Sequence, residues 1–189
     1  APDEWPAYAE QAIGCEIIDT AGNRYIDMSY NGILACILGY ADPDVNAAVI
    51  RRVNMGSMTT LLSYDEVKLA QLLLEIHPWA DKARFTRTGG ESMAVAVRIA
   101  RAATGRDKVA ICGYHGWHDW YLAANLRKGG TDNLTGHLLP GLEPNGVPKV
   151  LRDTALHFHY NQLSELEEIF NKHGSELAAV VMEPTRSTD

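Results

Sequence analysis

The chain has 189 residues, and its 46% hydrophobic and 22% charged residues are enough for an ordinary core and exclude a disordered chain. The net charge of -7, without any cluster of basic residues, argues against a nucleic-acid surface. No apolar run reaches the roughly 18 residues of a membrane span, and the amino terminus lacks the pattern of a signal peptide. Cys15, Cys36 and Cys112 are too scattered for a disulfide framework, which favours the reducing cytoplasm.

The amino-terminal part predicts a hairpin followed by two helices. In "GCEIIDTAGNRYIDMS", two alternating strands flank the turn "AGN". A helix is expected to begin after Asp42, with Pro43 in its first position, and a second one in "SYDEVKLAQLLLEIHP".

From Phe85 onward the pattern alternates between helices and strands. "TGGESMAVAVRIARAATG" and "SELEEIFNKHG" predict helices, whereas "KVAIC", "ALHFHY" and "LAAVVME" predict buried strands. Such alternation predicts an α/β layer with a mostly parallel sheet. The Gly-, Pro- and Asn-rich residues 126–148 predict a long surface loop.

Thr88, Gly89 and Gly90 directly precede the first of these helices. Thr88 and Glu91 have the spacing of a capping box, so free backbone N–H groups are expected at the helix start. Glycines let a phosphate approach such amides, and the helix dipole favours its charge. A helix that merely opens with glycines remains the alternative.

The segment "ICGYHGWHDWYLA" follows the predicted strand "KVAIC". Ligands in open α/β sheets bind at the carboxyl ends of the strands, so Tyr114 and His115 are expected near the phosphate position, where an aromatic ring could cover a planar cofactor. A metal site would use His115, His118 and Asp119, but no further pair of ligands completes it, so we predict no metal. We expect the remaining ring side chains to serve in packing: Trp117, His118, Trp120 and Tyr121.

Two more polar groups end predicted strands. His157 and His159 are expected to be satisfied at a strand end rather than to bind a metal. Glu183 reaches the same carboxyl edge, either as a site residue or as a cap of the strand, and the sequence leaves both open.

Three segments follow one another along the chain: residues 14–49, residues 88–119 and "AAVVMEP". Together they resemble the class III aminotransferases that use pyridoxal 5′-phosphate, and the glutamate-1-semialdehyde aminomutase-like branch is the most similar. The resemblance implies a fold-type I large domain, with a mostly parallel sheet and helices on both faces. It also implies a small domain, a homodimer and small-molecule amino donors and acceptors. We expect residues 1–56 to belong to the small domain and residues 57–189 to begin the large one.

The resemblance also implies roles for individual residues. Thr88, Gly89 and Gly90 occupy the place of the family's phosphate-binding Ser-Gly-Thr/Ser turn, although Gly90 lacks the last hydroxyl. Tyr114 matches the aromatic residue that stacks on the pyridine ring, and His115 and Gly116 complete the family's Tyr-His-Gly.

Three further residues match residues of the family outside the two glycine-containing turns. Glu183 matches the family's Glu-Pro carboxylate near the reactive side of the cofactor. Ser29 and Tyr30 lie where the family's amino-terminal segment reaches the substrate. All three are therefore expected at the site.

The family's Schiff-base lysine and the aspartate that pairs with the pyridine nitrogen are both expected beyond Asp189. The chain begins with Ala1 and stops after a predicted strand, so we expect it to be part of a longer protein and to be inactive by itself, because that lysine is also the general base. The alternative is a non-enzymatic module that keeps this fold and binds a phosphate ligand.

Overall fold

The computed structural model describes residues 6–32, 34–126 and 143–185. The chain forms two compact units, Ala1–Trp79 and Ala80–Asp189. The boundary that we predict after residue 56 concerns the domains of the complete protein and stays a prediction. The predicted long loop lies mostly outside the described residues.

The first unit contains an antiparallel sheet in the order β1-β2-β3, formed by Ala9–Ile13, Glu16–Asp19 and Arg24–Ile26. The predicted hairpin is confirmed as β2 and β3, and the carboxylate of Asp19 closes its turn by accepting from the amides of Ala21 and Asn23, both at 2.9 Å. β1 was not predicted, because its residues are almost all exposed and backbone pairing with β2 defines it.

Two helices follow in this unit, α1 over Pro43–Asn54 and α2 over Tyr64–Ile76. Asp42 caps α1 by accepting from the amides of Asp44 and Val45, and Ser63 caps α2 by accepting from the amide of Asp65. None of the helices among the described residues is long and apolar enough to cross a membrane.

The second unit is a three-layer α/β arrangement. Its elements are α3 Gly89–Thr104, β4 Lys108–Cys112, α4 Asp119–Leu122, β5 Ala155–His157, α5 Leu163–His173 and β6 Leu177–Met182. The three strands form a parallel sheet in the order β5-β4-β6, as the buried apolar runs predict.

The central strand β4 buries both of its faces. Val109 and Ile111 pack on the side of α3, whereas Ala110 and Cys112 pack on the side of α5. Successive side chains of a strand point to opposite faces, so a strand covered by helices on both sides must be apolar at every position. The helices on both faces confirm the predicted fold class.

The carboxyl ends of the three strands meet at one edge of the sheet. The amide of Phe158 donates to Ile111 O at 3.0 Å, and the amide of Glu183 donates to Cys112 O at 3.2 Å. The residues that follow β4, β5 and β6 are therefore neighbours at this edge, as the parallel arrangement requires.

Candidate active site

The start of α3 leaves two backbone amides free. Thr88 Oγ1 accepts from the amide of Glu91 at 3.1 Å, and Thr88 O accepts from the amide of Ser92 at 3.0 Å. The amides of Gly89 and Gly90 have no hydrogen-bond partner within the described ranges. The predicted cap at Thr88 is confirmed, and the helix presents two unpaired donors at its positive end.

The carboxylate of Glu91 does not complete the predicted capping box. It accepts at 2.9 Å from the amide of Arg87, whereas a capping box would require the amide of Thr88, the N-cap residue. The acidic side chain therefore fixes the chain that enters α3, while the hydroxyl of Thr88 fixes the helix start.

The loop after β4 approaches the start of α3 closely. A Cβ on Gly116, whose φ is +101°, would lie 2.8 Å from Gly90 Cα. A Cβ on Gly90 would lie 3.0 Å from both Cε1 and Nδ1 of His118. The two glycines are thus required for the contact between the Tyr-His-Gly loop and the helix that carries the free amides.

Tyr114 is held at this edge by aromatic neighbours. Its ring makes edge-on contacts with Trp117 at 6.2 Å and with Tyr121 at 6.0 Å between ring centroids. The ring is half-buried, and burial raises the pKa of its hydroxyl. Its orientation is therefore defined before any ligand binds.

The packing role that we predicted for the other ring side chains is fully confirmed for only two of them. Trp120 and Tyr121 are buried, and the Tyr121 hydroxyl donates to Gly113 O at 3.0 Å. Trp117 packs edge-on against Tyr114 but is 60% exposed, so its packing role is confirmed only in part, and His118 is exposed, so the prediction is wrong for His118. They follow a glycine turn that leads the chain back to the surface.

His115 is buried, and its side-chain hydrogen bond is to Cys112, the last residue of β4. Nε2 lies 2.8 Å from Cys112 O, to which it donates, and the ring packs beside Trp120 and Tyr121. Its contact with a cofactor stays a prediction. Across the described ranges, no group of three or more His, Cys, Asp or Glu side chains is placed to hold a metal ion.

Glu183 is paired with a residue that the sequence did not single out. The hydroxyl of Tyr160 donates to Glu183 Oε2 at 2.8 Å. Gly113 lies against both, since a Cβ there would be 2.6 Å from the Tyr160 oxygen and 2.7 Å from Glu183 Oε2. Tyr160 follows β5, so only the strand order could have indicated its place beside Glu183.

Of the two histidines at and just after the end of β5, His157 and His159, the second is hydrogen-bonded to a neighbouring carboxylate. Nδ1 and the amide of His159 lie 2.9 Å and 2.8 Å from Glu165 Oε2. These contacts, led by the backbone hydrogen bond, lower the pKa of Glu165. The ring of His157 lies edge-on to that of His159. His159 is satisfied at the strand end, as predicted.

Ser29 and Tyr30 belong to the first unit. The amide of Ser29 donates at 2.8 Å to Asp27, whose other carboxylate oxygen accepts from the Tyr40 hydroxyl at 2.5 Å. Tyr30 is exposed. Their part in binding a substrate stays a prediction.

The model of the family described as aminotransferase class-III matches residues 1–188. A glutamate-1-semialdehyde 2,1-aminomutase of Thermoplasma volcanium is 36% identical over 183 residues, which are 96% of this chain and 42% of that protein. A 2′-deamino-2′-hydroxyneamine transaminase of Streptomyces kanamyceticus is 35% identical, over 97% of this chain and 43% of its own length. A solved structure of a transaminase with PLP bound has a TM-score of 0.83 at 27% identity and covers 98% of this chain and 42% of its own.

The chain therefore belongs to the class-III aminotransferases, whose cofactor is pyridoxal 5′-phosphate. It spans less than half of the length of these relatives. The residues at the sheet edge fit this cofactor: the free amides of Gly89 and Gly90 suit its phosphate, and the half-buried ring of Tyr114 suits its planar ring.

Proposed function

We propose that the complete protein is a pyridoxal-phosphate-dependent aminotransferase or 2,1-aminomutase acting on small-molecule amino donors and acceptors. This chain contributes the phosphate side and the ring side of its cofactor site. The observation that carries the proposal is the meeting of two free amides, at Gly89 and Gly90, with the loop of Tyr114 at the carboxyl edge of a parallel sheet.

The start of α3 binds the phosphate in this proposal. Each of the amides of Gly89 and Gly90 donates one hydrogen bond, and a hydrogen bond to a charged group contributes about 1.5–3 kcal/mol. The Thr88 hydroxyl accepts from Glu91, so its own proton remains available to a phosphate oxygen. The positive end of the 16-residue helix favours the phosphate charge.

The loop and strand ends orient the rest of the cofactor. Tyr114 covers one face of the pyridine ring in an orientation set by Trp117 and Tyr121. Tyr160 and Glu183 form a hydrogen-bonded pair beside it, and the hydrogen bond holds the carboxylate toward the edge of the sheet. His115 positions Tyr114 through its bond to Cys112 O.

The bound cofactor supplies an electron sink that stabilises negative charge on the substrate carbon. The proton on that carbon has to be moved by an amine, and no lysine of the described ranges hydrogen-bonds to the site. Lys108 starts β4, at the opposite end of the strand, and pairs with Glu176 at 2.7 Å; Lys172 pairs with Glu168. We propose that the lysine and the aspartate for the pyridine nitrogen come from the remainder of the complete protein, and that this chain alone transfers no amino group.

Two other parts of the proposal follow from the family. Ser29 and Tyr30 contact the substrate, and the complete protein is a homodimer. Both the side chain and the amide of Ser29 hydrogen-bond to Asp27, which holds Ser29 in place and lowers the pKa of that carboxyl.

The test uses the full-length protein reconstituted with pyridoxal phosphate. We expect a visible absorption band that a suitable amino donor bleaches. Transfer that requires a keto-acid or aldehyde acceptor indicates an aminotransferase, whereas isomerisation of one amino-aldehyde without an acceptor indicates an aminomutase. Phosphate-dependent binding without transfer from any donor would favour a non-enzymatic module.

Two variants at Tyr114 test the site itself. Tyr114→Ala should weaken cofactor binding about tenfold, because stacking of this kind contributes roughly 0.5–1.5 kcal/mol beyond buried area. Tyr114→Phe should retain most of the affinity. Trp79→Ala, which removes an 83% exposed ring in the first unit, is the matched control.

A further inference from the structure

The imidazole of His118 occupies the space that a side chain at residue 90 would need. A Cβ on Gly90 would lie 3.0 Å from Nδ1 and 3.0 Å from Cε1 of this ring. His118 starts α4 but makes no capping hydrogen bond with its side chain. Across the described ranges neither ring nitrogen has a hydrogen-bond partner. The ring is thus exposed, polar and unpaired beside Gly90, whose amide is one of the two free amides at the start of α3.

The surroundings of this ring favour an anion. His118 borders a surface depression of about 540 Å³ that it shares with Arg84, Arg87 and Arg98, with Glu91 as the acidic member. It also borders a second depression, with Arg98, Arg101 and Asp119. Four guanidinium groups and two carboxylates line these depressions, and the charge of Asp107 also acts on Arg101, so an excess of positive charge remains that attracts a phosphate.

We propose that His118 donates an N–H hydrogen bond to the phosphate of pyridoxal 5′-phosphate, in the place of the hydroxyl that Gly90 lacks. The proposal rests on the function proposed above. An imidazole carries at least one N–H donor in either of its protonation states, so it can replace a serine or threonine hydroxyl as a donor. Gly90 and His118 then form a coupled pair, in which the glycine makes room for the ring that supplies the missing hydrogen bond.

A purely structural role is the competing explanation. The ring could simply fill the space beside Gly90 and Gly116, with no contact to a ligand. The two roles predict different effects on the affinities for pyridoxal phosphate and for pyridoxal. A phosphate contact changes the affinity for pyridoxal phosphate but not for pyridoxal, which lacks the phosphate. A structural role changes both affinities together.

The experiment measures the dissociation constants of pyridoxal phosphate and of pyridoxal for the full-length apoprotein. We expect His118→Ala to raise the constant for pyridoxal phosphate by about tenfold or more while changing that for pyridoxal less than about twofold, the effect of losing one hydrogen bond to a charged group. His118→Asn, which keeps a donor, should lose less. His77→Ala, an exposed histidine of the first unit, should change neither constant.

A double variant tests the pairing. Gly90→Ser in the presence of His118 meets the ring at 3.0 Å and should weaken binding. Gly90→Ser combined with His118→Ala places the hydroxyl in the vacated space and should restore the affinity for pyridoxal phosphate to within about threefold of the parent protein.

The outcomes separate the inference from the function on which it rests. A parent protein that binds pyridoxal phosphate no more tightly than pyridoxal would overturn the proposed phosphate site. A parent that prefers pyridoxal phosphate, with His118→Ala keeping the same preference, would overturn only the role of His118. Equal loss of both affinities, together with a lower melting temperature of the apoprotein, would show that the ring is structural and would also overturn it.

Discussion

The hydroxyl of Tyr160 donates a 2.8 Å hydrogen bond to the carboxylate of Glu183, and both groups lie against Gly113. The three residues follow three different strands of the parallel sheet, β5, β6 and β4. This contact therefore depends on the strand order, and it fixes the carboxylate that follows β6 at the candidate site.

Removal of the Tyr160 hydroxyl should free this carboxylate. We expect Tyr160→Phe to lower the free energy of unfolding by about 0.5–1.5 kcal/mol, because one hydrogen bond is lost. If Glu183 acts near the cofactor, the rate of amino transfer should fall more than the affinity for the cofactor. Tyr8→Phe is the control, since Tyr8 is 75% exposed. Unchanged stability and rate would show that the pair has no role.

Gly113 should not tolerate a side chain. Its φ is +93°, and a Cβ would lie 2.6 Å from the Tyr160 oxygen. We expect Gly113→Ala to destabilise the full-length protein by more than the roughly 1–3 kcal/mol that backbone strain alone costs, measured by chemical denaturation. Gly146→Ala, at φ +88° but with no atom within 4 Å of the added Cβ, carries the backbone strain without the clash and is the matched control. An equal effect of the two variants would contradict the crowding of Tyr160 and Glu183.

Thr88 should contribute both to stability and to phosphate binding. Thr88→Ala removes the cap of α3 and should cost about 0.5–2 kcal/mol of stability. It should also weaken binding of pyridoxal phosphate more than binding of pyridoxal. Thr88→Ser keeps the hydroxyl and should preserve both properties. Weaker binding in Thr88→Ser than in Thr88→Ala would be inconsistent with a role for the hydroxyl.

Tyr121 should make the protein sensitive to alkali. Burial raises the pKa of its hydroxyl above the ordinary value of 10.0. Because the folded-state pKa lies above the unfolded-state pKa, the contribution of the protonated Tyr121 hydroxyl to the free energy of unfolding is complete below about pH 10. It is lost as the pH rises above this value. The ionised oxygen also can no longer donate to Gly113 O.

The measurement is the free energy of unfolding of the full-length protein between pH 8 and pH 11.5. We expect the parent protein to lose stability more steeply above about pH 10 than Tyr121→Phe, although the variant is less stable at pH 8 because it lacks the hydrogen bond. Parallel curves for the two proteins would show that Tyr121 does not ionise differently in the folded state.

Much of the second unit could be predicted from local patterns. The buried run of β4 and the glycine-opened helix α3 with its Thr88 cap are encoded by residues adjacent in the chain. The carboxyl-edge position of Tyr114 follows from the strand that precedes it. The exposure of Trp117 could not be predicted in this way, because a tryptophan in an aromatic-rich segment is expected to be buried and only the path of the chain after Gly116 brings it to the surface.

The sequence by itself determined the α/β class, the glycine-opened start of α3 with its Thr88 cap and the resemblance to the class-III aminotransferases, since hydrophobic periodicity, caps and motifs are properties of neighbouring residues. Only the tertiary structure decided that Tyr160 holds Glu183 and that His118 lies against Gly90. These contacts join residues 23 and 28 positions apart, and the order of the strands and the close approach of two glycines bring them together.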